Sequence, residues 1–109
     1  MFFMTLFEIY NKINACPRKM GALQLLCALG DNHRQGRQWV AVSDMILSEK
    51  VDASNVHKTI NQMIDNQMIE RRYLDKEGNI SDRKTRVPVI RLVPDCLAAL
   101  GQGEQHVQI

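Results

Sequence analysis

The chain has little of what marks several common protein classes. Aromatic residues are 6% of its 109 residues, with one tryptophan, and no run approaches the roughly 20 consecutive apolar residues of a membrane-spanning helix. Its three cysteines, Cys16, Cys27 and Cys96, are an odd number without CxxC spacing, which excludes a disulfide framework and a clustered zinc site. Cys27 falls in an apolar helical pattern and is expected to be a small buried hydrophobe. His33, His57 and His106 are dispersed, and there is no Gly-rich phosphate loop and no nucleophile elbow, so no catalytic residue, metal or cofactor is expected. The neighbouring carboxylates, Asp75 with Glu77 and Asp44 with Glu49, lie in polar surroundings that suit structural roles. The apolar opening, Met1 to Phe7, lacks a basic n-region and a small-residue cleavage site and meets Glu8 early, unlike a signal peptide. Free thiols suit a reducing compartment, and a cytoplasmic location is expected.

What is present is an ordinary globular composition, 45% hydrophobic and 24% charged, with a formal net charge of +2. The length suits one core, expected over residues 1–100 and followed by a polar tail, 101–109. The cations Arg71, Arg72, Lys76, Arg83, Lys84, Arg86 and Arg91 gather in the C-terminal third, which makes a local positive surface.

Hydrophobic periodicity predicts the elements. Leu6, Ile9, Tyr10 and Ile13 give a short helix over 5–14, opened by Thr5 and Glu8 as a capping box. Its further apolar residues Phe2, Phe3, Met4 and Phe7 exceed what one face can bury in a small monomer, so a second subunit is expected to cover them. A second helix runs from about Arg18 to Leu29 and ends at Gly30, and 31–38 reads as a loop. Trp39 to Val42 is β-prone. Ser43 then caps a short helix, and Asp52 caps another from Ala53 to about Gln67 that turns Val56, Ile60, Met63 and Ile64 inward; a turn of about four residues joins the two. Residues 69–74 and 86–93 form a hairpin around the charged loop 75–85, with Pro88 where the strand is an edge. Pro94 opens a last helix, to Leu100.

This order predicts a mainly α fold with a small β-hairpin, a winged helix-turn-helix with an extra N-terminal helix. With the apolar stripe of segment 53–67 inward, Ser54, Asn55, His57, Lys58, Asn61 and Gln62 face outward with no acid before Asp65. Amides of this kind pair bidentately with adenine, and Ser and Lys serve bases or phosphates. The loop adds Arg83, Lys84 and Arg86 for backbone or minor-groove contact, with Asp82 expected to brace Arg83. The expected partner is therefore double-stranded DNA, read by helix 53–67 in the major groove and by loop 75–86 on the flanking backbone or minor groove.

The segments Ser43-Asp44-Met45, Val51 to Val56, Ile69-Glu70-Arg71-Arg72, Ser81 to Arg86 and Ile90 to Asp95 together resemble the MarR family of transcriptional regulators, over Trp39 to Leu100. The resemblance implies groove-facing roles for Ser54, Asn55, His57, Lys58 and Asn61, a wing-tip cation at Arg83 or Lys84, and a homodimer on a palindromic operator. Little chain follows Leu100, so dimerisation is expected to rest on the N-terminal helix and no small-molecule effector is expected. One alternative is a winged-helix adaptor, or a phage or plasmid accessory protein, docking through its apolar N-terminus without base-specific DNA binding. Another is a thiol sensor, which requires an exposed Cys16 near Arg18 and Lys19.

Overall fold

A computed structural model describes residues 4–48, 51 and 53–105. They form five helices and a four-stranded antiparallel sheet, in the order α1 (Leu6–Asn14), α2 (Lys19–Arg34), β1 (Val40–Ala41), α3 (Val42–Leu47), α4 (Val56–Asp65), β2 (Ile69–Leu74), β3 (Ile80–Ser81), β4 (Pro88–Leu92) and α5 (Pro94–Gln105). The expected roles of Phe2, Phe3, Glu49, Asp52 and His106 lie outside the described residues.

Two helices end in the same way. In α2, Gly36 takes the left-handed conformation (φ 85°), its N–H bonds His33 O, and Arg37 N–H reaches back to Asn32 O at 2.8 Å. In α4, Gln67 does the same at φ 68°, with Gln67 N–H on Ile64 O and Met68 N–H on Met63 O at 2.8 Å. This is the Schellman arrangement, which satisfies carbonyls that a helix end leaves open. The expected stop at Gly30 is thus misplaced. Gly30 lies inside α2, and the residue that turns the chain is Gly36. Buried Asn32 secures this end: its Nδ2 donates to Ala28 O, and its Oδ1 accepts from Arg37.

The middle helices start differently from expectation. Ala41, not Ser43, is the N-cap of α3. Asn55 sits at φ 60°, ψ 17°, so α4 begins at Val56 rather than Ala53, and Ser54 and Asn55 belong to the turn before it. Left-handed backbone interrupts a helix, and Asn tolerates it better than most residues. Thr59 is buried opposite Gly21, where an added Cβ on the glycine would come within 3.4 Å of its hydroxyl. A methyl group at this position would make an ordinary van der Waals contact with Thr59.

The sheet runs in the order β1-β4-β2-β3, so the expected hairpin is a four-stranded sheet with β4 inside it. Asp75 closes the β2–β3 turn, its Oδ1 accepting the N–H groups of Glu77 and Asn79, with Gly78 at φ 80°. The chain then crosses back over 82–87 to β4. Leu74 N–H bonds Val87 O, while Thr85 Oγ1 donates to Leu74 O at 2.6 Å and accepts from Val87 N–H. Pro88 follows where β1 pairing has already ended, since Ala41 pairs with Val89. A proline that donates nothing on that side loses no rung.

Period-2 alternation puts Ile69, Arg71 and Tyr73 on the face of β2 that looks toward the helices, and Glu70 and Arg72 on the other. On the outer face, Arg91 donates from Nε and Nη2 to Glu70 Oε2 (3.1 and 3.0 Å) and lies 4.5 Å over the Trp39 ring. The core on the inner face includes Leu25, Met45, Ile60, Met63, Met68, Ile90 and Leu92, with α5 adding Cys96 and Ala99.

Helix α1 is fastened to the end of α4. Lys12 Nζ donates to Asn66 O, and Asn66 Nδ2 donates to Lys12 O at 3.3 Å and to Cys16 Sγ at 3.5 Å. An ammonium at a helix C-terminus also offsets the partial negative charge there. Cys16 is buried, contrary to what a thiol sensor at this position needs, and Cys27, expected inside, is exposed. Cys27 misses the α2 stripe of Ala22, Leu25, Leu26 and Leu29 and falls on its rim. Burial pushes the Cys96 thiol up from 9.0 to about 11, against the opposing pull of Lys12. Among the described residues, no helix is long and apolar enough to cross a membrane.

Candidate nucleic-acid interface

The residues singled out from the sequence fall into three places. Ser54 and Asn55 are exposed on the turn before α4, with Asn55 Nδ2 donating to Ser54 Oγ at 3.3 Å. His57, Lys58 and Asn61 are exposed along α4. Arg83, Lys84 and Arg86 are exposed on segment 82–87. Gln62 departs from the group: it is half-buried, and its Oε1 is enclosed without a hydrogen-bond partner among the described residues.

Folding brings three of these together. His57 and Asn61 from α4 and Lys84 from the crossing segment line one hollow of about 360 Å³, together with Arg71 and Tyr73 of β2 and Thr85. Arg71 Nη1 donates to Asn61 Oδ1 at 2.8 Å. Among the described residues, no Asp or Glu lines this hollow. A second, larger hollow of about 590 Å³ lies on another side of the same N-terminal half of α4, where Ser54 and Asn55 meet Arg18, Lys19 and Gln24 of the α2 start, again without a carboxylate among the described residues. Neither α2 nor α4 carries an acid in its first turn. Two cationic hollows thus flank one exposed polar helix, an arrangement that concentrates positive potential along α4.

Segment 82–87 is held differently from expectation. Asp82 pairs with Arg72, at 2.7 Å from its Nε, rather than with its neighbour Arg83. Arg83 is therefore anchored through its main chain, whose N–H donates to Ser81 Oγ at 3.1 Å, and its exposed guanidinium projects from a braced turn.

Arg71, Tyr73, Arg18 and Lys19 were not among the sequence-derived site residues. Arg71 was legible in principle, because it shares strand parity with buried Ile69 and so had to face the helices. Arg18 and Lys19 carried no such signal, since their place beside Ser54 depends on how α2 packs on α4. Among the described residues, no group of three or more His, Cys, Asp or Glu could hold a metal ion. No family model matches the chain, and neither a curated protein nor a solved structure matches it.

Proposed function

We propose that this protein is a winged helix-turn-helix regulator of the MarR type that binds double-stranded DNA sequence-specifically, with α3 and α4 as the helix-turn-helix and the β2–β3–β4 excursion as the wing. The supporting observation is the exposed row of His57, Lys58 and Asn61 on α4, flanked by two hollows lined with cations and, among the described residues, without carboxylates. Its diameter lets such a helix enter a major groove, and Arg83, Lys84 and Arg86 then reach flanking phosphates or the minor groove. No catalytic role is assigned, and the unpaired thiols suit a cytoplasmic protein.

A second copy of the chain is proposed to cover the apolar face where α1 meets α2. There Leu6, Tyr10 and Met20 are 53%, 61% and 70% exposed around a nearly all-apolar hollow of about 390 Å³. A two-fold dimer through this face would present two copies of α4 to two half-sites.

Selection of bound sequences from a random duplex pool is the test. An enriched palindrome is expected; enrichment of nothing over a scrambled pool overturns base-specific binding. The same apolar face favours the second reading, a protein adaptor, which predicts no enrichment and a monomer that gains mass only with a foreign partner.

A further inference from the structure

The hollow between α4 and the sheet holds a hydrogen-bonding pattern more specific than a polar helix face. Arginine has no acceptor atom, so the bond from Arg71 Nη1 to Asn61 fixes which end of the amide faces it: Oδ1 is engaged, and Nδ2 is the end left to the hollow. The cations there add donors: Arg71 keeps further N–H groups and Lys84 supplies an ammonium, while the Thr85 hydroxyl spends its proton on Leu74 O and His57 and Tyr73 can each donate or accept. Among the described residues, no carboxylate lines the space to accept a hydrogen bond.

Among the four bases, only guanine shows two adjacent acceptors, N7 and O6, on its major-groove edge; adenine shows an acceptor beside an amino donor. An Asn reads adenine bidentately by accepting from that amino group through Oδ1, the atom that Arg71 holds here. We propose that the Arg71–Asn61 pair is a guanine-reading subsite, in which Arg71 and the amide Nδ2 donate to the N7 and O6 edge. The inference rests on the DNA-binding function proposed above. It replaces the adenine contact that the sequence alone suggested for Asn61.

The test uses the full chain and the duplexes it retains from the random pool. Each guanine of the enriched site is replaced singly by 7-deazaguanine, which lacks the N7 acceptor, and each adenine by 7-deazaadenine. One guanine per half-site is expected whose replacement weakens binding roughly 5- to 100-fold. Of Arg71→Ala and Asn61→Ala, the variant that removes the donor to N7 should be blind to that replacement and to no other, whereas loss of the O6 partner should weaken binding and keep the sensitivity. Arg71→Lys, which keeps the charge but not the planar fork, should lose most of the guanine preference. Asn61 is exposed, so its variant reports even if an Arg71 change disturbs the sheet. Sensitivity to 7-deazaadenine at the coupled position, losses for the Arg71 variants that are equal on every sequence, or additivity of the base change with both side-chain changes would each overturn the subsite while leaving DNA binding intact. Retention of no duplex by the unaltered protein overturns the DNA-binding function itself, and the subsite with it.

Discussion

Asp82 accepts from Arg72 Nε at 2.7 Å across the start of segment 82–87, which leaves the adjacent Arg83 exposed and projecting. The pair is largely solvent-exposed, and such bridges contribute little, up to about 1 kcal/mol. Asp82→Ala should therefore leave the urea midpoint nearly unchanged. On DNA, Arg83→Ala should weaken binding to all sequences and lower the dependence of log affinity on log salt by about one charge. An unchanged salt slope would remove Arg83 from the interface.

At Asn55, backbone and side chain must be separated. Left-handed φ costs a residue with a Cβ roughly 1–2 kcal/mol, less for Asn and nothing for Gly. Asn55→Ala is expected to lower stability by about 1 kcal/mol, whereas Asn55→Gly should match or exceed the native chain. If the Asn55 amide contacts a base, both variants lose affinity for the selected site to the same extent. A glycine variant that binds as well as the native protein would show the amide to be a turn-former only.

A helix ending and a helix interior make opposite demands on glycine. Gln67→Gly should stabilise by about 0.5–1 kcal/mol, because a side chain now occupies left-handed backbone. Gly30→Ala should stabilise by a similar amount, since the residue is inside α2 and the nearest atom to an added Cβ is Leu100 Cδ1 at 3.8 Å. Denaturant unfolding reads both. A destabilised Gly30→Ala would mean that α2 does end there.

Thiol chemistry checks the packing of α1, α2 and α5. Of three cysteines, only Cys27 is exposed, so one equivalent should react quickly with a thiol reagent, and Cys27→Ser should abolish that phase while Cys16 and Cys96 wait for unfolding. Two fast equivalents would contradict the burial of Cys16. Alkaline pH acts through Cys96, whose folded pKa is raised from 9.0 to about 11. Both states hold the proton below pH 9.0. Above it the unfolded chain ionises first, so stability should decline between about 9 and 11 and level off beyond. Cys96→Ala removes this part of the alkaline decline, whatever it costs in packing.

Elements with strong periodicity were legible in the sequence. The stripe Leu6, Ile9 and Ile13 gave α1, and the stripe Val56, Ile60 and Met63 gave the buried face of α4. Strand β2 was read over its observed span, Ile69–Leu74. Boundaries set by φ were not legible, because glycine marks a possible stop without saying which one is used: five residues separate Gly30 from Gly36, and only the second turns left-handed. Gln67 carries no composition signal for the same conformation, and Asn55 only a weak one. Two-residue β3 escaped because its pairing depends on the Asp75 turn rather than on its own residues. At the site, the outward set on α4 followed from periodicity apart from Gln62, while Arg71 and Lys84 came to it through strand pairing and a crossover, both non-local.

Thr85 bridges Leu74 O and Val87 N–H through one hydroxyl at the mouth of the β2–β4 ladder, beside the direct backbone bond from Leu74 N–H to Val87 O. The basic segment is consequently latched by an oxygen that carries no charge. Its reach toward α4 and its positive potential are set by different atoms, so evolution or a designer can retune how far the arm extends without altering what it attracts.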